Sequence, residues 1–145
     1  MTELSLSLVL PVKANILFDS ILDFEKYPLF MPVQLKYVKI LERDESKITT
    51  EEKFLFKTIF KKEIIQSTYH RIISPSELES IILDGPAKDT KLKISISPED
   101  DKSKIEINAD LKLGIKYKIF IPIIKRYFKM VSTAILYKMV NHLNN

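Results

Sequence analysis

The chain has 145 residues, of which 46% are hydrophobic and 29% are charged, a composition expected of one globular domain with a single core. It contains no cysteine, so disulfides, thiolate metal sites and cysteine nucleophiles are excluded. The longest apolar run, IFIPII at residues 119–124, is far shorter than the roughly 20 residues that cross a bilayer, and no basic segment precedes a long apolar run at the start. We therefore expect one domain over residues 1–145, soluble and cytoplasmic.

The formal net charge of +4 is unevenly distributed along the chain. All 19 acidic residues lie at or before Asp110, whereas residues 111–145 contain only basic charges. A basic segment binds anionic partners, so the tail is expected to contact either an anionic phospholipid surface or RNA. A basic surface that is simply solvated is the alternative.

The first half of the chain begins with one strand and two short helices. Residues 4–10, LSLSLVL, alternate between apolar and polar and predict a half-buried strand that ends at Pro11. Apolar residues from Asn15 to Phe24 follow a helical stripe. The segment DFEKYPLFMP at residues 23–32 then predicts a second short helical turn, which Pro28 interrupts and Pro32 ends.

Six further strands follow, separated by turn-forming segments. In residues 104–113, KIEINADLKL, apolar and polar side chains alternate throughout, so one face of the sheet is solvated and the other needs a cover. The pattern predicts an antiparallel meander. Its strands are expected at residues 34–43, 47–59, 62–73, 77–84, 90–97 and 103–113.

A long C-terminal helix is expected to cover the sheet, from Pro122 to about His142. Its apolar positions form a broad arc, with Lys125, Arg126 and Lys129 on the opposite side. On this wheel Leu136 and Val140 fall among the cations, where an exposed apolar pair would suit an anionic membrane surface. We therefore predict an α+β fold in which a curved seven-stranded antiparallel sheet wraps around the helix and leaves a cavity between them.

Two motifs carry a family resemblance. The segment at residues 23–32 is similar to an acid-x-x-x-Tyr-Pro-x-Phe-x-Pro segment, and LDGP at 83–86 followed by LKISISP at 92–98 is similar to an Asp-Gly-Pro turn with its next strand. Together with the element order, they resemble the START-like, polyketide-cyclase-like (SRPBCC) superfamily, especially its coenzyme-Q-binding and ribosome-association-toxin members. The resemblance implies the helix-grip fold. The chain departs from the family pattern in having Ala87 after the turn and no tryptophan.

Candidate cavity residues come from the resemblance, from strand alternation and from the helical arc. The resemblance implies that the 23–32 segment closes one end of the cavity, although its side chains would equally suit a packed core. Alternation turns Gln66, Thr68 and His70 inward, where they need polar partners, unless strand twist returns them to solvent. Lys138 lies near the centre of the arc. The predicted ligand-binding residues are Tyr27, Phe30, Met31, Phe54, Phe56, Thr58, Gln66, Thr68, His70, Tyr127, Met130, Val131, Ala134 and Lys138.

The sequence lacks the common signatures of catalysis. It contains two histidines and two glycines, with neither a Gly-x-Ser-x-Gly turn nor a phosphate-binding loop, so we expect no catalytic triad, no metal and no cofactor. The expected function is binding or carriage of a hydrophobic small molecule such as a quinone, an isoprenoid or another lipid. The alternatives are a ribosome- or RNA-associated protein that uses the basic helix, and a cyclase- or dehydratase-like enzyme that uses His70 as an acid or base.

Overall fold

Within residues 2–55 and 63–144, which the computed structural model describes, seven antiparallel strands form one sheet in the order β1-β7-β6-β5-β4-β3-β2. The sheet is therefore a meander in which β1 returns to pair with β7 along its whole length. The strands are β1 (Thr2–Leu10), β2 (Leu35–Arg43), β3 (Lys47–Phe54), β4 (Ile64–Ser74), β5 (Glu77–Ile82), β6 (Lys91–Glu99) and β7 (Lys102–Leu111).

Helical segments occupy one side of this sheet. A short helix α1 (Ala14–Ile21), a 3₁₀ turn (Phe24–Lys26) and a one-turn helix α2 (Tyr27–Phe30) follow β1. A second 3₁₀ segment (Ile115–Phe120) leads into α3 (Ile121–Asn144), whose 24 residues span roughly 36 Å. The predicted α+β helix-grip fold is confirmed. The predicted continuation of the third strand to residue 59, and the start of the fourth at residue 62, lie outside the described residues.

The core lies where the C-terminal half of α3 meets α1 and the sheet. In β7 the side chains of Ile105, Ile107, Ala109 and Leu111 are buried while their neighbours are more exposed, as strict alternation predicts. Leu10, Leu17 and Ile21 from the first elements pack into the same cluster as Met139 of α3. The last turns of α3 therefore pack directly against the hydrophobic core.

One expectation for α3 is wrong. Leu136 and Val140 were expected among the cations, but they are only 4% and 3% exposed and belong to the core. The apolar residues cover more than half of the helical wheel, and a wheel does not determine which part of so broad an arc faces the sheet. The stripe that packs contains Phe128, Val131, Ile135, Leu136, Met139 and Val140.

The same rotation of the helix exposes residues that were expected to face inward. Met130 is 56% exposed, and Ala134 and Lys138 are also exposed. These three therefore lie on the solvent side of α3. Lys125, Arg126 and Lys129 are exposed as expected.

Leu136→Ala should lower the free energy of unfolding by about 2–5 kcal/mol, because it removes buried methyl groups and leaves a cavity in the core. Met130→Ala, at an exposed position of the same helix, should change it by less than about 0.5 kcal/mol. Urea unfolding followed by circular dichroism measures both. Equal effects of the two substitutions would contradict the packing of α3 described above.

Candidate functional site: a cavity beneath the C-terminal helix

A cavity of about 450 Å³ lies between the inner face of the sheet and the N-terminal half of α3. Leu92, Ile94 and Leu111 form part of its floor, and Ile124, Phe128 and Ile135 of α3 form part of its roof. Its size is within the range of small-molecule sites, and its wall is mostly apolar with a few polar groups, as such sites usually are.

The structure brings eight of the predicted ligand-binding residues to this wall. They come from α2 and the residue after it, from β3 and β4, and from α3. They are Tyr27, Met31, Phe54, Gln66, Thr68, His70, Tyr127 and Val131. Their contact with a ligand stays a prediction.

Four predicted residues lie away from the cavity. Met130 and Ala134 face solvent because of the orientation of α3. Phe30 is buried, but its ring packs edge-on against His142 with centroids 6.2 Å apart. Lys138 donates a hydrogen bond from Nζ to the Phe30 carbonyl oxygen at 3.2 Å, so it ties α3 to α2 rather than reaching into the cavity. Phe56 and Thr58 lie outside the described residues.

His70 occupies one end of the polar stripe in the wall, and both of its ring nitrogens are engaged. Nε2 lies 2.9 Å from the Thr50 hydroxyl of β3, and Nδ1 lies 2.7 Å from the Ser80 hydroxyl of β5. Whichever nitrogen carries the proton, the neutral ring donates to one hydroxyl and accepts from the other. Burial lowers the pKa of His70 to about 4, so the ring is neutral at physiological pH. His70 therefore joins three strands, with its polar atoms already satisfied.

Phe24 completes the environment of His70, and sequence reasoning missed its role. Its buried ring stacks on the imidazole with centroids 4.1 Å apart and planes inclined by 23°. The 3₁₀ turn that begins at Phe24 brings the ring to the sheet. Tyr27, one turn later, donates a hydrogen bond from its hydroxyl to the Ile21 carbonyl oxygen at 2.6 Å, and burial raises its pKa. The 23–32 segment thus contributes both to the core and to the cavity wall.

Glu52 is the second residue that sequence reasoning missed. It lies on β3 directly opposite Gln66 of β4, and it lines the cavity. The signal was present in the sequence, because Glu52 has the same strand parity as Phe54, which was predicted to face inward. Two consecutive glutamates, Glu51 and Glu52, are typical of a solvated surface. In a strand, however, consecutive side chains point to opposite faces of the sheet, so only one of the two faces solvent.

The Glu52 carboxyl has an unusual environment. Burial raises its pKa to about 7, with further contributions from Asp84 and Glu51, although the Thr68 and Thr50 hydroxyls act in the opposite direction. Among the described residues, Glu52 Oε2 and Thr68 Oγ1 are buried and have no hydrogen-bond partner within 3.5 Å, although the Thr68 and Thr50 hydroxyls lie near the carboxyl and favour its ionised form. A carboxyl with a pKa near neutrality can exchange a proton with a bound molecule. The wall therefore contains two polar groups whose hydrogen-bonding capacity is not fully used.

The Asp-Gly-Pro turn shapes one side of the cavity. Asp84 accepts a hydrogen bond from the backbone nitrogen of Ser67 at 2.6 Å, and Gly85 has φ of +85°, a conformation that side-chain-bearing residues rarely adopt. This geometry brings Pro86 and Ala87 to the cavity wall. The small side chain of Ala87 takes little space where the family pattern commonly has an aromatic residue.

A wider groove of about 700 Å³ lies along the solvent-facing side of the sheet. Glu3, Arg71, Lys91 and Lys93 in its wall are exposed, and Arg71 forms an ion pair with Glu79 at 3.2 Å. We interpret it as solvated surface. No group of three or more acidic and histidine side chains with the spacing of a metal site occurs in residues 2–55 and 63–144. None of the helices in that part of the chain combines the length and hydrophobicity that crossing a bilayer requires.

Comparison with family models matches residues 10–144 to the family described as polyketide cyclase / dehydrase and lipid transport. The chain belongs to this family. The START-like resemblance inferred from the two motifs is thereby confirmed, whereas the resemblance to the coenzyme-Q-binding and ribosome-association-toxin members stays a prediction. No curated protein matches the sequence significantly.

Solved structures with very different sequences have the same fold. A protein from Thermus thermophilus superimposes with a TM-score of 0.83 at 9% identity, covering 99% of this chain and 100% of its own. The Zhui aromatase/cyclase from a Streptomyces species gives 0.79 at 10% identity, covering 97% of this chain and 92% of its own. A START superfamily protein from Mycobacterium smegmatis gives 0.72 at 17% identity, covering 95% and 93%. At such identities the likeness concerns the fold.

Glu52→Gln should change how stability depends on pH. The pKa of Glu52 is about 7 in the folded protein and near 4.5 when unfolded, so the folded state binds more protons between these values and the wild type loses stability as pH rises through them. The glutamine side chain does not titrate, so the variant lacks this loss of stability. His70 affects the pH dependence of stability in the opposite direction, but equally in both proteins. Between pH 5 and pH 8 the variant should gain on the order of 1–3 kcal/mol relative to wild type. Urea unfolding at both pH values measures this, and parallel pH profiles would contradict the buried carboxyl.

Proposed function

We propose that this protein binds a hydrophobic small molecule, such as a quinone, an isoprenoid or another lipid, in the cavity beneath α3. The observation that carries the proposal is the cavity of about 450 Å³ with a mainly apolar wall. Membership of a family whose description includes lipid transport supports it. Leu136 and Met139 do not line the cavity, so a ligand can occupy it without displacing them.

Binding accounts for the site better than acid–base catalysis by His70. Both ring nitrogens are held by hydroxyl groups of neighbouring strands, and Phe24 covers the ring face. For His70 to abstract a proton from a bound molecule, one of these buried hydrogen bonds would have to break. Ligand binding is therefore better supported than a cyclase- or dehydratase-like reaction that uses His70 as its acid or base.

Val131→Trp should weaken binding of the neutral hydrophobic dye Nile red by at least about tenfold, because the indole occupies volume inside the cavity. Met130→Trp is the matched control: it places the same side chain on the adjacent, exposed position of α3, and the affinity should stay within about twofold of wild type. Fluorescence titration gives the affinities, and circular dichroism verifies that both variants fold. Organic extraction of protein from its native host, followed by mass spectrometry, should identify the ligand. Unchanged dye affinity in Val131→Trp, with no lipid extracted, would refute the proposal.

We further propose that this protein is cytoplasmic and exchanges its ligand at an anionic membrane surface. Because Leu136 and Val140 are buried, we assign the candidate contact to the segment that precedes α3 instead. There Ile115 and Ile119 are 87% and 78% exposed, and Lys116 and Lys118 lie between them in the chain. Apolar side chains among cations suit an anionic bilayer, to which each nearby cation contributes about 1 kcal/mol.

The position of this segment supports a role in ligand exchange. Leu113, just before it, and Ile124, in the first turns of α3, both line the cavity. Lys125, Arg126 and Lys129 extend the positive charge along the exposed side of α3. A membrane that receives Ile115 and Ile119 would therefore lie close to one end of the cavity. RNA would use the cations but has no need of the two isoleucines.

Ile115→Ser combined with Ile119→Ser should reduce co-sedimentation with vesicles of about 30% phosphatidylserine and 70% phosphatidylcholine at least several-fold, since it removes the apolar part of the contact. Leu29→Ser combined with Val33→Ser is the matched control, because it removes two exposed apolar side chains outside the basic segment and should leave binding unchanged. Pure phosphatidylcholine should bind wild type poorly. Wild-type sedimentation by ribosomes but not by vesicles would replace the membrane by RNA as the partner.

A further inference from the structure

Two groups of polar side chains in the cavity wall differ in their hydrogen bonding. His70, Thr50 and Ser80 are bonded to one another. Glu52 Oε2 and Thr68 Oγ1, here called the unsatisfied pair, are buried and have no partner within 3.5 Å in the described part of the chain, although the Thr68 and Thr50 hydroxyls lie near the carboxyl. Leaving a buried polar group unpaired is unfavourable, and charged groups suffer most. A bound molecule that pairs with both atoms would remove that cost, so the unsatisfied pair indicates where the polar end of a ligand lies.

The two side chains are close enough to share one partner. On the paired strands β3 and β4, Glu52 is opposite Gln66 and Thr68 is opposite Thr50, so Glu52 and Thr68 are diagonal neighbours on the inner face. The Cα atoms of diagonal neighbours in an antiparallel pair lie about 7–8 Å apart, a distance that a long side chain can span. Both residues line the same cavity. A single small group between them can contact both.

The chemistry of the pair selects what that group can be. A carboxylate only accepts hydrogen bonds, whereas a threonine hydroxyl also donates one. A ligand hydroxyl matches both, since it donates a hydrogen bond to the Glu52 carboxylate and accepts a hydrogen bond from the Thr68 hydroxyl. No lysine or arginine is found among the described residues that line the cavity, so at pH values above the Glu52 pKa of about 7 a ligand carboxylate would meet the negative charge of Glu52 without a counter-charge.

We propose that Glu52 and Thr68 form a head-group site that binds the hydroxyl of an otherwise apolar alcohol or phenol and excludes carboxylates such as fatty acids. This inference rests on the proposed binding function and adds the class of ligand. It also assigns the head-group site to β3 and the facing part of β4, and not to His70. Thr68 and Glu52 would fix the orientation of the ligand, and the apolar wall would supply most of the affinity.

Three matched probes test the proposal at pH 8, where both Glu52 and a fatty acid are mainly ionised: 1-decanol, its methyl ether 1-methoxydecane, and decanoate. Each is titrated against protein loaded with Nile red, and its affinity is obtained from displacement of the dye. Wild type should prefer decanol to the ether by roughly tenfold, the usual effect of one hydrogen bond to a buried charged group. Decanoate should bind more weakly than decanol.

The variants separate the head-group site from the rest of the cavity. Glu52→Leu should abolish the preference for decanol over the ether, while both still displace the dye. Glu52→Gln should improve decanoate binding at least several-fold relative to decanol, because the negative charge is gone. Thr68→Val should weaken decanol alone. The matched controls are Glu106→Gln and Thr49→Val, which change the same residue types at positions outside the cavity wall and should behave as wild type.

The outcomes distinguish the two proposals. If wild type binds neither Nile red nor any probe, the proposed binding function fails. If all three probes bind and wild type does not distinguish decanol from the ether, or Glu52→Leu retains the preference, the cavity binds apolar molecules and the head-group site is refuted. Tighter binding of decanoate than of decanol to wild type would also refute it.

Discussion

The curvature of a sheet with one solvated face is the constraint on which this structure depends. The inner face is mostly apolar, so it must be covered, and one straight helix covers only part of a curved surface. The last turns of α3, around Leu136 and Met139, pack into the core with α1. The first turns, around Ile124 and Phe128, span the cavity. One helix therefore packs into the core at one end and covers the cavity at the other.

Polar side chains on the inner face form two groups, one that is hydrogen-bonded within the protein and one that is not. His70 bonds to Thr50 and Ser80 and thereby links β3, β4 and β5 by side-chain contacts in addition to the backbone ladder. Fully satisfied buried groups make a wall rigid, because each alternative arrangement leaves one of them unpaired. Glu52 and Thr68 lie on two of these strands, both residues line the cavity, and one buried oxygen atom of each has no hydrogen-bond partner within 3.5 Å. The rigid set thus provides a defined support for the unsatisfied pair beside it.

The segment DFEKYPLFMP shows how one short stretch serves several purposes. Phe24 stacks on His70, and the Tyr27 hydroxyl ends the preceding helical segment by bonding to Ile21. Phe30 joins α3 through its contacts with His142 and Lys138, whereas Met31 reaches the cavity. Two prolines keep the segment compact by preventing one continuous helix, so successive large side chains point in different directions. This segment was expected either to pack in the core or to line the cavity. Phe30 packs in the core, whereas Met31 lines the cavity.

The sequence by itself determined the fold class, the antiparallel meander and much of the inner face, because strand alternation is a local property of period two and turn residues and prolines mark where each strand ends. It also identified Gln66, Thr68 and His70 as inward-facing. Tertiary structure alone decided the rotation of α3, which buries Leu136 and Val140 and exposes Met130, since a broad apolar arc has no unique packed stripe. It also decided that His70 is satisfied and Glu52 is not, because hydrogen-bond partners come from neighbouring strands whose register depends on the folded sheet.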